Sequence, residues 1–155
     1  GPSKRAFHAA AWNGTEMIVS GGQAKDQSNV SGCYRYNPLT NTWTVAASPF
    51  NSLPQAKAVW TGNEMLVWGS ILLDQPYNSY NLGLVYTPLT NSWTQFATEG
   101  HIGNNDSRSN VVWTGTEMLI IRGTGAQKFS YTGSGYFLDL PYINSYYIMR
   151  KVTNN

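Results

Sequence analysis

Short apolar runs of strand length, separated by Gly-, Asn- and Pro-bearing turns, recur along this chain, and no run shows helical spacing with capping residues. Ala9–Trp12 and Glu16–Ser20 flank a turn bearing Gly14, which reads as a tight hairpin with glycine where the turn wants a positive φ. A connection over Gln23–Ser31 follows. Cys33–Tyr36 is a third strand candidate, and Trp43–Ala46 a fourth. Between them, Asn37-Pro-Leu-Thr-Asn41 reads as a turn, since Pro presets φ and Asn tolerates the left-handed region. The pattern predicts four short strands in an antiparallel meander.

The same order recurs. Trp12-Asn-Gly-Thr-Glu-Met17, Trp60-Thr-Gly-Asn-Glu-Met65 and Trp113-Thr-Gly-Thr-Glu-Met118 align without gaps, about 50 residues apart. Tyr36-Asn-Pro-Leu-Thr-Asn-Thr-Trp43 matches Tyr86-Thr-Pro-Leu-Thr-Asn-Ser-Trp93. A worn third copy, Asp139-Leu-Pro-Tyr-Ile-Asn-Ser-Tyr146, keeps Pro141, Asn144 and an aromatic in register. Residues 3–155 thus form one segment of three units, at about 6–48, 55–98 and 108–150. Gly1-Pro2 reads as a tag scar.

One meander sheet cannot shield both faces, but stacked neighbours can, which is the logic of a propeller. The first strands are rich in small residues (Ala9–Ala11, Ala58 and Val59, Val111 and Val112), which suits a crowded axis. Trp of the fourth strand suits the wide rim. With these residues in hand, the chain resembles the kelch-repeat β-propeller family. The carriers are Gly21-Gly22, the Tyr36-x-Pro-x-Thr-Asn-x-Trp43 segment and Arg5-x-x-His8, and the Trp-x-Gly-x-Glu-Met variant is similar to bacterial-type kelch repeats. The glycine pair becomes Gly69-Ser70 and Arg122-Gly123 in the later copies, and Arg5/His8 becomes Leu53/Ala56 and Asp106/Ser109. The fold class expected is all-β, with three four-stranded antiparallel kelch blades. Three blades leave an open arc with two apolar faces, which a homodimer with two-fold symmetry would close into a six-bladed ring. A fragment of a longer propeller is the competing reading.

Composition narrows the function. The chain has 10 basic and 8 acidic residues, a net +2, without the basic patch a nucleic acid demands. Aromatics reach 14% against 12% charged residues, which argues against disorder. The longest apolar run is Met118–Ile121, far short of the roughly 18 residues of a membrane helix. One cysteine, Cys33, allows no intramolecular disulfide and no cysteine-cluster metal site. Low charge with abundant Asn, Thr, Tyr and Trp leans toward an exported bacterial protein. No phosphate loop, nucleophile elbow or His-Glu-x-x-His motif is present.

In a meander propeller, the connections from second to third strand and from one unit to the next open on one face. Here they are Gln23–Ser31, Ile71–Tyr80 and Gly125–Ser134, with Pro49–Gln55 and Gly100–Ser107. They diverge between copies while the strands do not, as a binding face would, and as relaxed loops also would. Asp74, Tyr77, Tyr80, Phe129 and Tyr131 are candidates there: tyrosines give rigid contacts to a protein and stacking platforms for a sugar. The resemblance adds Arg5, with His8 beside it and Arg108 near the matching place in the third unit. Their competing roles are a surface ion pair for Arg5 and a hydrogen bond between blades for His8. Glu16, Glu64 and Glu117, one per unit, stand too far apart around a ring for an acid–base pair and read as structural. Some kelch-type enzymes are copper oxidases, but two distant histidines do not fit a copper site. The function expected is a non-catalytic scaffold for a protein ligand, with no cofactor, no metal, no nucleic acid and no membrane insertion. The alternatives are a glycan-binding propeller using Tyr77, Tyr80 and Tyr131, or a sugar-modifying enzyme of the sialic-acid isomerase kind.

Overall fold

The protein is described from a computed structural model. The residues described are 1–50, 53–72, 79–96, 109–121, 131–132 and 147–152. Every regular element among them is a strand. The first sheet runs β1 (Ala9–Trp12), β2 (Met17–Ser20), β3 (Cys33–Asn37) and β4 (Thr42–Ala46), paired in chain order and antiparallel. The second repeats it with β5 (Lys57–Trp60), β6 (Met65–Leu72), β7 (Ser79–Thr87) and β8 (Ser92–Phe96).

Both turn types obey the local chemistry. Gly14, Gly62 and Gly115 adopt φ of +102°, +112° and +105° at the hairpin between the first two strands. The residue before each glycine closes the loop: Asn13 Oδ1 accepts from the Glu16 N–H at 2.7 Å, and Thr61 and Thr114 Oγ1 accept from the matching N–H groups at 3.1 and 3.0 Å. Between third and fourth strands, Asn41 and Asn91 are left-handed, with φ of 55° and 48°. Tyr36 and Tyr86 each donate their hydroxyl to that Asn at 2.9 Å and lie across the strands from Trp43 and Trp93, ring centroids 4.9 and 5.0 Å apart. The Tyr–Pro–Asn–Trp motif is therefore one packed hairpin end.

The third sheet departs from the expected meander. It contains β9 (Asn110–Trp113), β10 (Glu117–Ile121), β11 (Tyr131–Thr132) and β12 (Tyr147–Val152), in the order β11-β12-β10-β9. Strand β12 pairs directly with β10 where a third strand was expected, and β11 joins it in parallel. The sequence offers the reason. Asp139 stands in the place of Tyr36, so the worn copy lacks the Tyr–Asn–Trp lock that fixes the register of the other two hairpins.

Two clusters hold the sheets together. Between first and second lie Ala9, Ile18, Cys33, Ala46, Met65, Val67, Leu84 and Tyr86, with Trp60 and Trp93 against them. Between second and third lie Leu66, Trp68, Val85, Met118 and Ile120. Residues 65 and 67 thus face one neighbour and residues 66 and 68 the other, as the two-residue period of a strand requires. The first strands are mutual neighbours from sheet to sheet, β1 beside β5 and β5 beside β9, so the small-residue strands are innermost.

Candidate functional site

Gly21-Gly22 ends β2 because two backbones crowd it. A Cβ on Gly22 would lie 2.7 Å from the Ala6 carbonyl oxygen, and one on Gly21 would lie 3.2 Å from the Leu53 carbonyl oxygen of the next unit. The segment before β1 is thereby pressed onto the end of β2, and Ala6 and Gln23 exchange backbone hydrogen bonds at 2.9 and 2.8 Å. Arg5 completes the joint. Its Nη1 donates to the Gly21 carbonyl at 3.0 Å and the Ser31 carbonyl at 3.5 Å, and its guanidinium stacks over Tyr34 at 5.0 Å. Arg5 thus satisfies strand-end carbonyls, in place of the surface ion pair weighed against its ligand role. His8 is exposed beside Gly22 rather than held between sheets. In the second unit, Leu53 and Ala56 take these places as buried core, so the basic character belongs to the first unit alone among the described copies.

The first connecting loop is built, not slack. Val30 N donates to Gly22 O at 2.9 Å and Ala24 N to Ser28 O at 3.0 Å. Asp26 accepts from the Ser28 hydroxyl at 2.6 Å and its N–H at 3.1 Å, and these bonds hold its carboxyl below the usual range. The second loop is shorter than expected. Strands β6 and β7 continue pairing through Ile71↔Tyr80 and Leu72↔Ser79, which places Tyr80 on a strand rather than in the Ile71–Tyr80 loop. Tyr131 likewise lies on β11. Asp74, Tyr77, Arg108 and Phe129 lie outside the described residues.

Two exposed aromatics escaped the sequence reading. Phe7 is 64% exposed with φ of 55°, and Phe50 is 56% exposed. Both lie on segments leading into a first strand, on the face of the variable connections. A left-handed Phe is strained. Its carbonyl accepts the Gln55 N–H at 3.1 Å, and Gln55, the matching residue of the second unit, is left-handed as well, at 60°. The repeat aligned the two positions, but nothing in either side chain announces the conformation.

The repeated glutamates work within sheets. Glu16 binds Arg35 of β3 through Nε at 2.7 Å, and this partnership raises the Arg35 pKa. Glu64 accepts from Thr87 at 3.3 Å. Cys33 is fully buried, and burial pushes its thiol up to about 12, so it is inert as a nucleophile. Among the described residues, no three His, Cys, Asp or Glu side chains converge on a metal position.

Residues 4–49 match the family model for the Kelch motif, so the first unit is a kelch motif, as its residues implied. No curated protein sequence matches the chain. Among solved structures, "Structure of YjhT" aligns with a TM-score of 0.62 at 18% identity, covering 79% of this chain and 35% of that one. The chain thus shares its fold with about a third of that molecule.

Proposed function

We propose that this chain is a non-catalytic kelch-type scaffold that binds a protein ligand on the face carrying the variable connections. The observation that carries this reading is the exposure of Phe7 and Phe50, aromatics on segments that lead into first strands, with the Phe7 carbonyl held by the Gln55 N–H of the second unit. Rigid exposed aromatics offer large contact area at low entropic cost. The opposite face repeats the same short turns in both complete units, with Leu39 and Leu89 at their tips. Arg5 supports the binding face from beneath, and His8 contributes a polar group at its rim. The test is retention of a protein from the native host on the immobilised chain, with a Phe7→Ser, Phe50→Ser double variant as control. Retention by the parent and at least tenfold loss in the variant supports the reading. Saturable binding to free glycans on an array, unchanged by the substitutions, replaces it with the glycan-binding alternative.

A further inference from the structure

Four small side chains cross the first sheet in one row. Ala9 pairs with Ser20, Ser20 with Cys33 and Cys33 with Ala46, and all four are buried. Ile18 belongs to the cluster between first and second sheets, and the two-residue period of a strand puts Ser20 on the same face. The matching row of the second sheet runs Lys57, Trp68, Gly83 and Phe96, and there Trp68 fills the next junction with an indole. A serine in the place of that indole leaves room. A cavity remains between the first and second sheets, walled by Pro49, Ala56, Val67 and Leu84. The space in it for the centre of a water molecule is about 10 Å³, close to what a single water requires.

Two polar groups with bonding capacity to spare border this cavity. Ser20 is 4% exposed, and its hydroxyl makes no hydrogen bond among the described residues. The Leu53 carbonyl comes from the second unit and lies 3.2 Å from where a Cβ on Gly21 would stand. Among the described residues, no N–H or O–H closes on it. The other polar groups of the walls are already engaged. Trp93 Nε1 donates to the Ala47 carbonyl at 2.7 Å, while Asn91 Oδ1 accepts the Ala47 N–H at 2.9 Å. Gly21 donates its N–H to the Gly32 carbonyl at 3.2 Å and accepts from Arg5 at 3.0 Å. A buried hydroxyl without a partner is costly, whereas the same hydroxyl on a bridging water is satisfied.

We propose that this cavity is a binding site for one water molecule, held by the Ser20 hydroxyl from the first unit and the Leu53 carbonyl from the second. The water donates one hydrogen to Leu53. Its bond with Ser20 runs in either direction, because a hydroxyl both donates and accepts. The remaining walls are apolar, so the site takes a single water and no chain of them. That water joins the two units where β2 ends and the connection into the second unit passes.

Oxygen-17 magnetic relaxation dispersion on the full chain tests it, because it counts waters held longer than the tumbling time of the molecule. Ser20→Ala removes the hydroxyl with little change of shape. It should lose one long-lived water relative to the parent, with an unchanged circular dichroism spectrum. A crystal structure of the parent is the second measurement and needs no variant to fold. It should show one water within hydrogen-bond distance of both Ser20 Oγ and the Leu53 carbonyl oxygen. Equal water counts in parent and Ser20→Ala overturn the proposal, as does a crystal structure in which the cavity is dry or the Ser20 hydroxyl bonds to a protein group instead. Either result leaves the ligand reading standing, because buried Ser20 is no part of the exposed surface that carries Phe7 and Phe50.

Discussion

At the residue scale, the glycines separate two causes of one preference. Gly14 and Gly22 share nearly the same φ, +102° and +104°, but a Cβ on Gly14 meets nothing within 4 Å. Gly14→Ala should therefore lose only the conformational term, about 1–2 kcal/mol. Gly22→Ala adds a clash with backbone that cannot swing aside, and should cost at least about 1 kcal/mol more. Urea midpoints at constant m-value measure both, and equal losses would contradict the crowding argument. Cys33 gives a pH signature. Its folded pKa lies near 12 against an ordinary 9.0. Between those values the unfolded chain has lost a proton that the native chain keeps, so stability falls as pH rises, by up to about 1.4 kcal/mol per unit. Cys33→Ala has no such loss. The stability gap between parent and variant should narrow from about pH 9 upward and stay constant below about pH 8.

At the element scale, the hairpins were legible because each is closed by side chains within a few residues of one another. Gly14, Asn41 and the Tyr36–Trp43 pair announce their turns by type and spacing. What depended on distant partners was not legible. The grip of Trp93 on Ala47 spans 46 residues, and the pairing of β6 with β7 beyond Gly69 depends on how two strand ends meet. The third sheet misled because strand character survived in Tyr147–Val152 while the chemistry fixing its register had gone. The candidate site divided similarly. Arg5 was visible as a residue, but its use on strand-end carbonyls was not, and Phe7 carried no sequence signal at all. The two indoles allow a matched test. Trp93→Phe removes the bond to Ala47 and leaves a carbonyl unpaired, which should cost about 1–3 kcal/mol. Trp43→Phe removes an N–H with no partner in the described residues and should cost under about 0.5 kcal/mol. Equal costs would mean that the Ala47 contact contributes nothing.

At the scale of the whole molecule, the sheets differ in how many faces they bury. The second is covered on both: Met65 and Val67 lie against the first sheet, Leu66 and Trp68 against the third, and all four are under 4% exposed. Among the described residues, the first and third sheets each meet one neighbour. Local opening costs most where apolar contact is densest, so amide exchange should rank the sheets. The β6 and β7 amides should be the slowest in the chain at low micromolar concentration, with β2 and β10 faster. Exchange read by mass spectrometry measures this ranking directly. If β10 outlasts β7 at every concentration, the two-sided burial of the second sheet is not what stabilises the molecule.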